Sequence, residues 1–214
     1  RLMSSVTKKQ KNIQEKLDPE KIYSLNEAIE IIQSVKSNKF DESIDISVKL
    51  GVDPNKSDQN VRGAVTLPNS LGKEVKVAVF ADGDHASQAK KAGADFVGMD
   101  DLAEKFQKEE INVDVVISSN AAMKVVGKLG QVLGPKGLMP NPKTGTVSDD
   151  VETAIKNVKA GQVRFRTDKN GIIHGSIGKV SFDEGMIKAN ASALLEELKK
   201  LKPASAKGVY IGNI

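Results

Sequence analysis

The 214-residue sequence has no cysteine, which excludes disulfides, thiolate metal sites and a cysteine nucleophile and suits a reducing compartment. Histidine is almost as scarce. His85 and His174 are the only two and lie far apart in the chain, so no zinc site is expected. No run approaches the ~18 apolar residues of a membrane span, and a membrane partner is not expected. The opening "RLMSSVTKKQKN" has no acidic residue before Glu15 and lacks the apolar core of a secretion signal. It reads as a basic arm, either solvated or touching nucleic acid.

What is present is a globular balance of 39% hydrophobic and 28% charged residues, enough for one large domain or two small ones. The net charge of +4 is spread unevenly. Residues 1–70 hold 11 Lys/Arg against 10 Asp/Glu, residues 71–157 hold 11 against 13, and residues 158–214 hold 10 against 5. If the outer segments fold together, that unit is basic and the middle is slightly acidic. One part then meets a polyanion and the other does not.

The hydrophobic period changes along the chain in the same three parts. "SLNEAIEIIQSVK" predicts a helix with a capping box, Ser24 at the N-cap and Glu27 three residues on. "DESIDISVKL" alternates, with Ile44, Ile46, Val48 and Leu50 on one face, and "VRGAVTL" does so with Val61, Gly63, Val65 and Leu67. The middle reads β-α-β: the continuous apolar run "KVAVFA", a helix over "GDHASQAKKAG" capped by Asp84, the strand "ADFVG", the helix "MDDLAEKFQKE", the buried strand "VDVVISS", and a helix "NAAMKVVGKLG" ending on Gly130. A capped helix "SDDVETAIKNV" follows. "GQVRFRTDKNGIIHGSIGKV" then reads as an antiparallel hairpin around Asp168–Gly171, with Val163 facing Ile177 and Arg166 facing His174. A long amphipathic helix stops at Pro203, and "GVYIGNI" is a short β segment. The expected fold is mixed α/β and α+β in two domains. Residues 1–70 and 158–214 make a discontinuous α+β domain, and residues 71–157 an inserted three-layer, Rossmann-like α/β domain.

The stretch "GQVLGPKGLMPNPKTGTV", Gly130 to Val147, invites a nucleotide-loop reading that its spacing refuses. Starting from Gly130, the sixth position of a P-loop is Pro135, which has no N–H to donate, and Lys136 precedes Gly137 rather than Ser or Thr. No two glycines in it are one residue apart, so G-x-G-x-x-G is absent as well. A stiff ordered loop remains, either a connector or a recognition surface. A small-molecule or nucleotide site at the strand ends of the central unit is the competing function, with Asp82, Asp84 and His85 in "ADGDHA" as its residues. No nucleophile–base pair with an orienting third group can be read from the sequence, and no cofactor is implied.

The same Gly/Pro stretch closely resembles the signature of the ribosomal protein L-one family, the large-subunit protein of the mobile stalk beside the tRNA exit site. "KFDESIDISVKLGVDPNKSDQNVRGAVTLP" and "VRFRTDKNGIIHGSIGKVSF" resemble its bacterial branch. The likeness runs from about Tyr23 to Tyr210 and implies the same discontinuous two-domain fold. It implies a non-enzymatic, cytoplasmic, ribosome-bound protein, monomeric when free. Its expected partners are large-subunit rRNA, the deacylated exit-site tRNA whose release it assists, and its own operon's mRNA, which it represses.

Within that resemblance Phe40 falls where the family sets an exposed aromatic against RNA, with Lys39, Glu27 and Ser43 at nearby contact positions. Strand parity alone argues otherwise, because Phe40 shares the parity of Ile44 and would be core. On the hairpin, Arg164, Arg166, His174 and Ser176 share one face in the expected register. They form either a donor-rich patch for phosphates and 2′-hydroxyls or a solvated strand face. Family members carry a Thr-Met-Gly motif beyond the last strand. This sequence contains none, and a trimmed C-terminus is the expected reason.

Overall fold

The computed structural model describes residues 8–18, 21–36, 40–72, 74–108 and 110–214. The basic arm is helical from Lys8 onward. In α1 (Lys8–Lys16), Lys16 Nζ donates to Ser34 O and Oγ at 3.3 and 3.2 Å. α2 (Leu25–Ser34) begins as its sequence requires. Ser24 Oγ accepts from the Glu27 N–H at 3.3 Å and Glu27 Oε2 accepts from the Ser24 N–H at 2.8 Å, satisfying donors that a helix end leaves orphaned. β1 (Ser43–Lys49) alternates exposed and buried throughout, as a period of two demands. β2 (Arg62–Thr66) turns Gly63 and Val65 inward. A Cβ on Gly63 would stand 2.5 Å from Leu201 Cδ1 and 2.9 Å from Phe165 Cζ, so any larger residue would force those side chains to shift.

β3 (Val77–Phe80), β4 (Phe96–Gly98) and β5 (Val115–Ser118) form a parallel sheet in the order β4-β3-β5, connected through α3 (Gly83–Lys91) and α4 (Asp100–Gln107). β3 is buried on both faces. Ala78 and Phe80 join a cluster with Leu102, Phe106, Leu129 and Leu133, while Val77 and Val79 join another with Ala89, Val151, Ile155 and Val158. Burial on both sides explains why "KVAVFA" does not alternate. Val151, Ile155 and Val158 come from α7 (Val151–Lys159), capped by Asp150 Oδ1 on the Thr153 N–H at 3.1 Å.

After α7 the chain returns to the core of the first strands. β6 (Gln162–Arg166), β7 (Ile172–Lys179) and α8 (Glu184–Lys200) pack Phe165, Ile173, Ile187 and Leu194 against Ile29, Val48 and Val65 in one cluster. Gly72 and Gly161, at the outward and return crossings, both have positive φ, +64° and +94°. A Cβ on Gly161 would meet Ser70 Oγ at 2.9 Å, so the two crossings run side by side.

Three expectations are corrected. The turn at Asp168–Gly171 forms, with the Asp168 N–H donating to Ile172 O at 2.9 Å and Gly171 left-handed at φ +74°, but the hairpin ladder beyond it does not. β6 pairs with β2, Arg62 opposite Arg166 and Val65 opposite Val163. β7 pairs with β1, Ser47 opposite His174. Neither the Val163–Ile177 nor the Arg166–His174 pair exists. A lone two-stranded ribbon is marginal in water, and giving each strand an N-terminal partner lets all four bury apolar faces under α8. The N-cap of α3 is Asp82, not Asp84, which sits in the first turn, and the cap makes no side-chain hydrogen bond. Helix also continues past Gly130: α5 (Met123–Lys128) is followed by α6 (Gly130–Leu133), so the Gly/Pro stretch starts helical.

Candidate nucleic-acid interface

Phe40 is 73% exposed at the mouth of β1. The first ladder pair is Ser43 with Lys179, so Phe40 precedes the ladder and strand parity does not govern it. The segment between is tethered. Asp41 accepts from the Ser181 N–H at 3.2 Å and from Ser181 Oγ at 2.9 Å, and the Val180 N–H donates to Glu42 O at 2.9 Å. With residues 41 and 42 fixed to the end of β7, the ring before them points to solvent. Burying it would instead have contributed a few kcal/mol, so its exposure invites a partner.

Glu27 and Ser43 are also accessible from solvent, while Lys39 lies outside the described residues. Glu27 already has structural work. Its carboxyl is lowered from 4.5 to about 2, first by the Ser24 backbone N–H, then by the Ser24 side chain and by Lys21, whose Nζ lies 3.1 Å away. It stays ionised and acceptor-only at neutral pH.

The expected patch of Arg164, Arg166, His174 and Ser176 is divided between two sheets. His174 and Ser176 lie on β7 against β1; Ser176 Oγ donates to Ile44 O at 3.4 Å, and exposed Asp45 stands opposite it. Arg166 is exposed on β6. Arg164 is half-buried, its Nη2 donating to Asp114 O at 2.8 Å, and desolvation holds the guanidinium pKa below its ordinary value. The patch is also not free of acid. His174 Nδ1 lies 3.0 Å from Ser47 Oγ and its Nε2 3.5 Å from Asp168 Oδ2, an order reminiscent of a serine–histidine–aspartate relay. His174 is exposed, and the Asp168 carboxyl is drawn below its usual range first by the Ile172 N–H, then by Asn170 and His174. In open water such an arrangement lacks the excluded, low-dielectric setting that makes a nucleophile of serine.

Two features escaped the sequence reading. Arg62 stands directly opposite Arg166 across β2 and β6 and lines one cleft with Arg164. The signal was present, because Arg62 has the parity opposite to core Val61, Gly63 and Val65. The second is a shallow groove at the far end of β1 holding Lys49, Lys56, Lys169 and Lys207, drawn from loops too distant in sequence to be grouped. At the rival site, Asp82 and Asp84 are exposed and His85 is half-buried. Among the described residues no group of three His, Cys, Asp or Glu could hold a metal.

An exposed ring, guanidinium groups crowded on one sheet face and a basic groove are the makeup of a polyanion-binding protein. Comparison with known proteins names the family. The profile of the "Ribosomal protein L1p/L10e family" matches residues 32–214. The chain is 60% identical over 212 residues to the large ribosomal subunit protein uL1 of Methylococcus capsulatus, covering 99% of this chain and 92% of that protein. It is 58% identical over 212 residues to the proteins of the same name from Pseudoalteromonas atlantica and Proteus mirabilis, covering 99% of this chain and 91% of each. The chain belongs to the ribosomal protein L1p/L10e family and is a structural, non-enzymatic protein of the large ribosomal subunit, acting in translation on the cytoplasmic ribosome.

Proposed function

We propose that the chain holds a folded stretch of large-subunit rRNA at the mouth of β1. The exposed Phe40 ring carries this reading. Such a ring packs flat on a ribose or base edge, with Lys39, its neighbour in sequence, for phosphate and Ser43 and Glu27 to hydrogen-bond sugar or base edges. Arg166, His174 and Ser176 extend the donors along the sheets, and Arg164 contributes where its bond to Asp114 is released. In this reading residues 1–70 and 158–214 form the RNA-binding domain and residues 71–157 the inserted one. Support comes from the three apolar clusters, which draw on separate parts of the chain and meet that boundary to within a residue. Family membership supports the finer roles: assisting release of deacylated tRNA from the exit site, and repressing the chain's own operon through its mRNA, as a monomer when free.

The test is direct. RNA should leave the purified chain in a high-salt wash, lowering its absorbance ratio, and filter binding to an rRNA fragment should weaken linearly in log salt. Failure to bind the fragment at low salt contradicts the reading.

A further inference from the structure

Arginine is rare in this chain. The sequence has four, at positions 1, 62, 164 and 166, against 28 lysines. Three of the four line a single cleft. One wall is the outer face of β2 and β6; the other is the Gly/Pro stretch, including Asn141 and the short 3₁₀ turn at Pro142–Thr144. Generic attraction for a polyanion would be met by lysine. Planar forks concentrated at one place point to recognition of an oxyanion.

The placement has a cost that a bound anion would offset. Arg62 and Arg166 are cross-strand neighbours, and like charges directly opposite destabilise a sheet. Neither forms a hydrogen bond or ion pair among the described residues. Arg164 adds a partly desolvated guanidinium two residues along β6. Asp114 is the one acid among the described residues of the lining. Its carbonyl oxygen receives Arg164 at 2.8 Å and its Oδ2 receives the Lys76 N–H at 3.1 Å. On the facing wall Asn141 Oδ1 accepts from the Lys143 N–H at 2.8 Å, leaving the amide NH₂ as a further donor.

We propose that this cleft binds a phosphate group between Arg62 and Arg166, with Arg164 and Asn141 at its edge. The group belongs either to an RNA backbone or to free phosphate. The proposal deepens the RNA-binding reading and rests on it only if the phosphate is RNA's; the mouth of β1 has no part in it.

The test uses the whole chain and the variant R62Q/R166Q, with R166Q alone as the second variant should the double fail to fold. Removing one side of a like-charge pair should leave melting in chloride no lower than wild type. Melting is first compared in sodium phosphate and sodium chloride at matched ionic strength. Phosphate also stabilises proteins by exclusion from their surfaces, to the same degree in all three; a bound ion adds a rise confined to the wild type. Binding of an rRNA fragment is then followed across salt for both variants and for Phe40→Ala. A phosphate-specific rise in wild-type melting that is absent from the variants assigns the site to free phosphate. Equal melting, with the salt slope smaller by about 0.9 for each phosphate that the variants no longer neutralise, assigns it to the RNA backbone. Neither change overturns the proposal. If Phe40→Ala still weakens RNA binding in that outcome, the reading at the mouth of β1 stands without it.

Discussion

Two residues apart on β6, Arg164 is half-buried with its guanidinium on Asp114 O, while Arg166 is exposed. Their alanine variants should therefore differ. A hydrogen bond from a charged donor contributes about 1.5–3 kcal/mol, and in a chain of this size each kcal/mol moves melting by roughly 2–4 °C. Arg164→Ala is expected to melt several degrees early and Arg166→Ala no lower than wild type. Arg166→Ala should lower the magnitude of the RNA salt slope by about one; equal melting of the two variants contradicts the account of Arg164. Sequence predicts both side chains as exposed, because the carbonyl that receives Arg164 is 50 residues away and no local pattern reports it. For Phe40 strand parity alone misleads, for the opposite reason. Parity is a property of a paired strand, and the tether from Asp41 to Ser181 places the ring outside one.

Whole elements were more readable than their partners. The capping box of α2, the alternation of β1 and the unbroken apolar run of β3 are local consequences of period and cap chemistry, and each stands where the sequence puts it. The hairpin failed because turn chemistry at Asp168–Gly171 fixes the turn alone; which strands complete the ladders is decided by a core drawn from both chain ends. At this scale Glu27 makes a pH prediction. Its folded pKa is depressed from 4.5 to about 2, so its contribution to α2 is fully present above 4.5 and is lost as pH falls through that range. Glu27→Gln keeps a cap acceptor that does not titrate. Melting of wild type should fall faster than that of Glu27→Gln as pH drops from 4.5 to about 2. Parallel curves would show that the carboxylate adds nothing to the cap.

Across the whole molecule, the two crossings with their left-handed glycines, Gly72 and Gly161, are where rotation between the proposed domains belongs. The cleft of Arg62, Arg164 and Arg166 lies at that join, lined also by Ser70, Leu71 and Gly161. Scattering from the free chain should fit a mixture of open and closed forms better than a single shape. One compact form, unchanged by added RNA, refutes the motion.

The most direct test of the central claim is Phe40→Ala, carried in a chain that includes the family's Thr-Met-Gly segment, with melting and rRNA filter binding measured on the same preparation. A ring packed on RNA loses about 1–3 kcal/mol of binding when truncated, by analogy with base–aromatic stacking, and melting stays near wild type. A ring that belonged to the core would cost ~3–5 kcal/mol of folding stability. Weakened binding with unchanged melting is the predicted result; a large fall in melting, with normal binding by the folded fraction, contradicts it.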